Sequence, residues 1–427
     1  MMKFPGFSKS ADNSKPAKKA PKKSLFRRIN DWLHLWLGLI SGTVVLIVSV
    51  TGCLYVFEKE ISDLIKPYKF VTPQEKSYLL PSVMKEKAER YLEGVLPDSV
   101  EPNLYGVQYF SRDRSAIIAY NHPEHEYTMI YMDPYDGTVL AEQYLKHDFF
   151  RIVLMGHYYL WLPPDIGQPV VAVSILVFVI LLITGMVMWW PKNLNKANFD
   201  KSFKIKWKAS FKRVNYDLHN VLGFYFLTLS LILALTGLVW GFEWFSRSYY
   251  WALTGGEKLP EWERVVSDTT RTYNGSANPL DAVWLQMLKE YDGRGGDVGL
   301  QFPRDNKGAI SFNYNPRPGT YYKRENRNFD QHTLKEIPGN NELYDQKFEE
   351  ASVGRKIYRM NYDIHVGAVL GLPGKILAFF ASLVCASLPV TGFLVWWGKR
   401  KKGKKKTTAA QRKSGRTDKQ VLNTTLQ

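Results

Sequence analysis

Four of the eight histidines in the chain recur with a pattern around them. His34, His157, His219 and His365 each stand upstream of a Thr-Gly pair: Thr51-Gly52, Thr184-Gly185, Thr236-Gly237 and Thr391-Gly392. An arginine lies six residues before every one of these histidines: Arg28, Arg151, Arg213 and Arg359. An asparagine lies four residues before three of them: Asn30, Asn215 and Asn361. A neutral imidazole is a metal ligand, and a guanidinium pairs with a carboxylate through two parallel hydrogen bonds. Together they suit a metal cofactor that carries carboxylates. One helical turn brings each asparagine onto the face of its histidine. There its amide is expected to accept the second ring N–H and fix the tautomer. Asp217 and Asp363, two residues before their histidines, are alternatives for that role or are helix N-caps.

The elements that position these residues are apolar. Uncharged runs at 35–57, 166–190, 220–242 and 376–397 are each long enough to cross ~30 Å of hydrocarbon. They are diluted by polar stretches, which is why the mean hydropathy of −0.25 looks soluble. The formal charge of +17 is unevenly spread. Segments 1–33, 191–213 and 398–427 hold 28 Lys and Arg against 4 Asp and Glu, a net of +24, and the remaining chain is at −7. By the rule that basic residues stay on the cytoplasmic side, both termini and the middle loop face inward. Nucleic acid is excluded as a partner, because topology and lipid account for the basic residues. The expected order is a basic cytoplasmic tail 1–33, span 34–57, outward domain 58–165, span 166–190 and cytoplasmic loop 191–213. Span 214–242, outward domain 243–375, span 376–397 and a basic cytoplasmic tail 398–427 complete it. Val50-Thr51-Gly52-Cys53 resembles a lipoprotein processing box, but Thr-Gly recurs in every span and is read as close helix packing.

Spans one and three share the His-to-Thr spacing of 17 residues and a Phe-Glu ending at Glu58 and Glu243; spans two and four share a Trp-Trp ending. The chain therefore reads as two repeats of like orientation. His34 and His219 enter from the cytoplasm, and His157 and His365 approach from outside, each on a short helix before a break at Pro163-Pro164 or Gly371-Leu372-Pro373. Two separated pairs suit two bis-histidine haem b groups, one near each face. The absence of Cys-x-x-Cys-His excludes covalent haem attachment. Arg28 and Arg213 could be ordinary cytoplasmic flanks. Arg151 and Arg359 stand where that rule offers no reason for them. Glu58 and Glu243 could serve haem carboxylates, protons or an outer ligand, or be plain interfacial carboxylates. His122, His125, His147 and His332 read as surface histidines.

Several motifs carry a family resemblance. They are Leu33 to Gly38 around His34, the four Thr-Gly pairs, Thr184 to Pro191, and Asp133-Pro134-Tyr135-Asp136-Gly137-Thr138-Val139-Leu140. The chain resembles the PepSY-associated transmembrane family of iron-regulated bacterial inner-membrane proteins, which includes siderophore reductases. The segment from Asp133 looks like the closing hairpin of a PepSY domain, after a helix-like stretch from Ser82 to Leu92. Residues 300–336 look like a degenerate second copy that lacks the Asp-x-x-x-Gly turn and ends in Phe329 to Leu334.

The resemblance implies an α-helical membrane protein with α+β extracytoplasmic domains. Its four transmembrane helices form two parallel repeats with PepSY-like periplasmic insertions, in the bacterial inner membrane. It further implies two haems and an oxidoreductase that reduces ferric siderophores in the periplasm and releases Fe(II), with the topology pairing His34 with His219 and His157 with His365 as the expected haem b ligands. No Gly-rich dinucleotide fingerprint or flavin domain is present, so quinol or a separate cytoplasmic reductase is the expected donor. The alternatives are a haem cytochrome subunit feeding another periplasmic enzyme, and a non-catalytic PepSY-type binding or regulatory membrane protein.

Overall fold

The structure is a computed structural model describing residues 24–424 except 98, 192, 194, 292–293 and 340–342. The predicted tail 1–33 thus lies mostly outside the described residues, as do the last three residues of the predicted tail 398–427. Helix α1 (Leu25–Tyr55) starts well before the predicted edge of its span, at Ser24, whose hydroxyl accepts from the Arg27 amide. Helix α2 (Glu58–Ile65) and helix α3 (Pro81–Glu93) follow. Strands β1 (Leu104–Tyr109), β2 (Ala116–His122), β3 (Glu126–Met132) and β4 (Val139–Tyr144) come next.

Helix α4 (Phe149–Tyr159) is capped by Asp148, which accepts from the Phe150 and Arg151 amides. The chain then turns through Leu160 and Trp161, both at positive φ, and restarts with Pro164 at the first turn of α5 (Pro164–Trp189). Proline is well placed there because that N–H has no helical partner to lose. Helices α6 (Lys196–Phe203) and α7 (Phe211–Asp217) lead into a π-helical turn at Leu218–Leu222 and a short α8 (Gly223–Tyr225). Helix α9 (Leu227–Gly241) leaves at 65° to that segment. Three helices, α1, α5 and Leu372–Gly398, are long and apolar enough to cross a membrane, and the bent 211–241 pair qualifies if taken as one span. The protein is a multi-pass membrane protein with an α+β domain on one side.

Beyond the bundle come α10 (Glu243–Thr254), α11 (Pro279–Glu290), and strands β5 (Asp297–Gln301), β6 (Ala309–Asn315), β7 (Glu325–Asp330) and β8 (Glu336–Ile337). Helices α12 (Val353–Arg359), α13 (Asn361–His365) and α14 (Leu372–Thr424) complete the chain. The two inserted segments build one antiparallel sheet, ordered β4-β3-β2-β1-β5-β6-β7-β8. Its centre is the β1–β5 pairing, with Val107 opposite Leu300. Alternation along each strand turns Ile118, Ile130, Phe312 and Phe329 to one face, where they are buried with Met84 and Leu92 of α3 and Val283 and Met287 of α11. The other face looks toward the bundle, and that end of the bundle is called here the sheet side.

The second copy is more complete than its sequence suggests. Asp133 accepts from the Tyr135 amide, Gly137 N–H donates to Asp133 O, and Gly137 sits at φ 76°. Asp330 accepts from the His332 amide, Leu334 N–H donates to Asp330 O, and Leu334 sits at φ 57°. The turn expected to be missing is therefore formed, with a leucine accepting the left-handed backbone at a cost of roughly 1–2 kcal/mol. Inside the bundle, Val45, Phe178, Leu182, Ala234 and Cys385 make the shared core of α1, α5, α9 and α14.

Candidate functional site

Each of the four histidines docks on the Thr-Gly pair of another helix. His34 Nδ1 lies 2.9 Å from Thr184 Oγ1, and His219 Nδ1 lies 3.0 Å from Thr391 Oγ1. His365 Nδ1 lies 2.9 Å from Thr236 Oγ1. His157 Nδ1 lies 3.3 Å from Thr51 Oγ1 and 2.9 Å from Val48 O. The threonine hydroxyls already donate one turn back, to Ile180, Ser387, Ile232 and Ile47 carbonyls at 2.7–2.9 Å. A hydroxyl has one proton to give. The imidazole must therefore supply the proton at Nδ1, as it must toward the Val48 carbonyl, which can only accept. Nε2 is left with the lone pair, the state in which imidazole binds a metal.

The glycines have the matching role. A methyl group added at Gly185 or Gly392 would stand 3.2 Å from Cε1 of His34 or His219. At Gly52 and Gly237 it would stand 3.3 and 3.4 Å from Cε1 of His157 and His365. Thr-Gly was expected to serve helix packing alone; in the structure it is an imidazole seat, the threonine giving the acceptor and the glycine the room.

The asparagines complete three of the seats in a way other than expected. Asn30, Asn215 and Asn361 donate to the main-chain carbonyls of Thr184, Thr391 and Thr236 at 3.0–3.1 Å. They hold the seat, and the tautomer is set by the threonine. The fourth seat has Val153 at the equivalent position and no amide. The alternation of seats follows the repeat: α1 carries His34 and also the Thr51 seat, 17 residues apart, which is about 25 Å along a helix.

The histidines meet in two pairs. The rings of His34 and His219 have centroids 6.4 Å apart, inclined at 81°. Those of His157 and His365 are 6.1 Å apart, inclined at 66°. Two in-line nitrogen–metal bonds of about 2.0 Å, with the ring radii added, place imidazole centroids roughly 6 Å apart. Each pair would fit a metal held between its two imidazoles.

The arginines do not behave alike. Arg28 and Arg151 are exposed. Arg213 pairs with Asp217, 2.9 Å from Nε to Oδ2. Arg359 is buried, and its guanidinium donates to the carbonyls of Tyr322, Gln346 and Arg324. That guanidinium fastens loops, so a carboxylate clamp at this position finds no support in its contacts. Asp217 accepts from the Lys206 amide, and Asp363 from the Tyr321 and Tyr322 amides. Neither caps a helix or touches a histidine ring; each pins an extramembrane segment to a histidine-bearing helix. Glu58 accepts from the Ser62 hydroxyl and Glu243 from Arg247, so these repeat-related carboxylates differ in surroundings. His122, His125 and His147 come together at ring separations of 4.6 and 5.6 Å, whereas His332 stands apart with its Nε2 on Asn306 O.

A cavity of about 960 Å³ lies between the sheet and the sheet-side histidine pair. Tyr127, Met129 and Asn313 line it from the strands, and Tyr55, Leu154 and Tyr362 from the bundle. Eight Lys and Arg line it against three Asp and Glu, so cations outnumber carboxylates on its wall. Burial pushes the Asp297 carboxyl up to about 6, against the pull of Arg114 and Lys59. Sequence reasoning missed this cavity because its wall combines both inserted segments with residues of α1, α2, α4, α13 and α14. It missed the seats although their signal was present: Asn-x-x-x-His in one span always comes with Thr-Gly in the span it docks on.

A family model described as the PepSY-associated TM region matches residues 32–399, the greater part of the chain. Among curated proteins, none matches it.

Proposed function

We propose that this chain, which belongs to the PepSY-associated transmembrane family, is an oxidoreductase that passes electrons across the bacterial inner membrane to a ferric siderophore. On this reading four spans form two repeats of like orientation, both termini are cytoplasmic, and the sheet is periplasmic. His34 with His219, and His157 with His365, would each hold a haem b, which would supply one-electron chemistry that no side chain of the protein supplies.

The observation that carries this reading is the fourfold recurrence of one seat. Ionisable residues within membrane spans are expensive and are kept for function. Four imidazoles here are oriented alike, with Nδ1–H on a threonine and the lone pair at Nε2. Two pairs at ring separations of 6.1 and 6.4 Å lie at opposite ends of α1. A resting place for lone structural histidines would need neither the pairing nor the shared tautomer. Each site offers two protein ligands, which matches the axial positions of a haem. Threonine and asparagine fix the ring direction before any ligand arrives, and the glycine keeps the ring close to the neighbouring helix.

Electrons enter from quinol or from a cytoplasmic reductase docking on the basic inner face. Outside, reduction of Fe(III) to Fe(II) weakens its hold on hard oxygen ligands, so the chelate releases it. The decisive experiment is the absorption spectrum of the full-length protein, purified from cells with ample haem. A low-spin, bis-histidine spectrum with two haems per chain is expected, and a colourless preparation would overturn the proposal. Reduced protein mixed anaerobically with ferric siderophores should reoxidise faster than an iron-free control. If it does not across several chelators, the electrons go to another periplasmic protein.

A further inference from the structure

We infer that the cavity under the sheet binds the electron acceptor and selects a chelate with surplus negative charge, through Arg151, Arg304 and Arg324. The inference rests on the reading above that a ferric chelate takes the electron. Position is the first argument. Leu154 and Tyr362 line the cavity three residues before His157 and His365, and Val366 lines it next to His365. Ring contacts lead from His365 to Trp240 at 5.5 Å, on to Tyr362 at 6.2 Å and to Tyr321 at 5.0 Å. Tyr362 and Tyr321 both line the cavity.

Charge is the second argument. Five of the eight cations on the wall have a carboxylate partner. Lys59, Lys69 and Arg114 converge on Asp63, Lys66 pairs with Asp148, and Lys375 pairs with Glu60. Arg151, Arg304 and Arg324 have no carboxylate partner among the described residues. Arg304 is held over the Tyr105 ring at 4.7 Å, and Arg324 over the Tyr344 ring at 5.4 Å. The Nε of Arg324 is buried without a hydrogen-bond partner, a costly state unless a ligand satisfies it. Guanidinium groups fit the planar oxygen pairs of carboxylates and catecholates better than an ammonium does. At about 960 Å³ the volume suits a ligand at the large end of small-molecule sites. The step moves one electron: Fe(III) in the chelate would become Fe(II), with a ferrous haem held by His157 and His365 as the one-electron reductant, and no covalent bond to the protein would form.

The test uses the full-length protein in detergent and gallium(III) complexes, which have the size and charge of the ferric ones and take no electron. Binding of a trianionic gallium tris-catecholate and of a neutral gallium tris-hydroxamate is followed by intrinsic fluorescence and calorimetry. The anionic complex should bind at least tenfold more tightly, with the gap narrowing as salt rises. Arg151→Glu together with Arg304→Glu should weaken the anionic complex at least tenfold and leave the neutral one within twofold. If circular dichroism shows that pair misfolded, Arg151→Gln and Arg304→Gln carry the same test at about threefold. Equal affinity for the two complexes, or variants that treat them alike, would overturn the inference. Selective gallium binding without reduction of the matching ferric complex would keep the cavity and sink the redox reading. Ferric reduction indifferent to charge would do the reverse.

Discussion

The two histidine pairs use the same seat in different surroundings. At the far end, His219 belongs to a π-helical turn that runs on toward α9, and His34 to the uninterrupted α1. At the sheet side both histidines ride on short helices, α4 and α13, each separated from the following span by residues at positive φ. The sheet-side pair underlies a cavity of about 960 Å³, whose walls come largely from the inserted segments and have no counterpart in the helices that carry the far pair. The imidazole seat is thus kept constant, and what varies is what surrounds it. On the proposed function, a basic cytoplasmic end suits a docking protein or a membrane-soluble donor, and a chamber with excess cations suits a small anionic acceptor.

The largest effects come from removing one member of a pair. His34→Ala should eliminate the far-side haem and His365→Ala the sheet-side haem, each leaving about half of the haem content by pyridine haemochrome assay. The two variants should differ in which low-spin signal survives. Loss of both haems from either substitution would mean that the ends are not independent; loss of neither would make the ligand assignment wrong.

Next come the seats. Gly185→Val or Gly392→Val would drive a branched side chain into an imidazole that a single methyl already approaches at 3.2 Å. The expected result is loss of the far-side haem with the sheet-side one retained, and Gly237→Val should give the mirror image. An unchanged spectrum in all three would show that the ring does not need the glycine. Asn361→Ala removes the side-chain hydrogen bond that the Thr236 carbonyl accepts besides its helical one, a loss on the order of 0.5–1.5 kcal/mol. It should lower sheet-side haem retention severalfold on heating. At the fourth seat, where Val153 stands, Val153→Ala should lack any such effect. Equal behaviour of the two would remove the asparagine from the seat.

The sequence held more of the site than of the chamber. The histidines, their pairing and the helix breaks before α5 and α14 were readable because spans, charge flanks and Pro or Gly breaks are local signals. The seat was half readable: the Asn-to-His spacing was noticed, but its partner is the carbonyl of a residue 125 to 176 positions away, which no local period reports. Arg359 shows the opposite failure. Its spacing from His365 matched the other arginines, yet it is buried against loop carbonyls, because contact partners are set by the tertiary fold. The missing turn at Leu334 was misread for a third reason. Glycine is the easy way into left-handed backbone, but a pair of aspartate-accepted amides and a strand on either side can hold leucine there too.

The smallest expected effect concerns how the chamber is fastened, and it separates the two ends by pH. Asp63 on α2 binds Arg114 of the β1–β2 turn, Lys69 and Lys59. Burial alone would raise its carboxyl, but these three cations outweigh it and hold it well below the usual carboxylate range. Because the folded value lies below the unfolded one of about 3.9, the stabilisation is complete at neutral pH. It is lost progressively as pH falls through and below that value. Asp63→Asn should therefore loosen the sheet from the bundle at pH 7 by on the order of 1–3 kcal/mol, seen as faster amide exchange in α2 and β2. The gap between variant and parent should shrink steadily below about pH 4. The His34–His219 end has no contact with this cluster, so its exchange and its spectrum should stay put throughout. A gap that does not change with pH would mean that Asp63 acts by packing and not by charge, and parallel loosening at the far end would mean that the two ends are one cooperative unit.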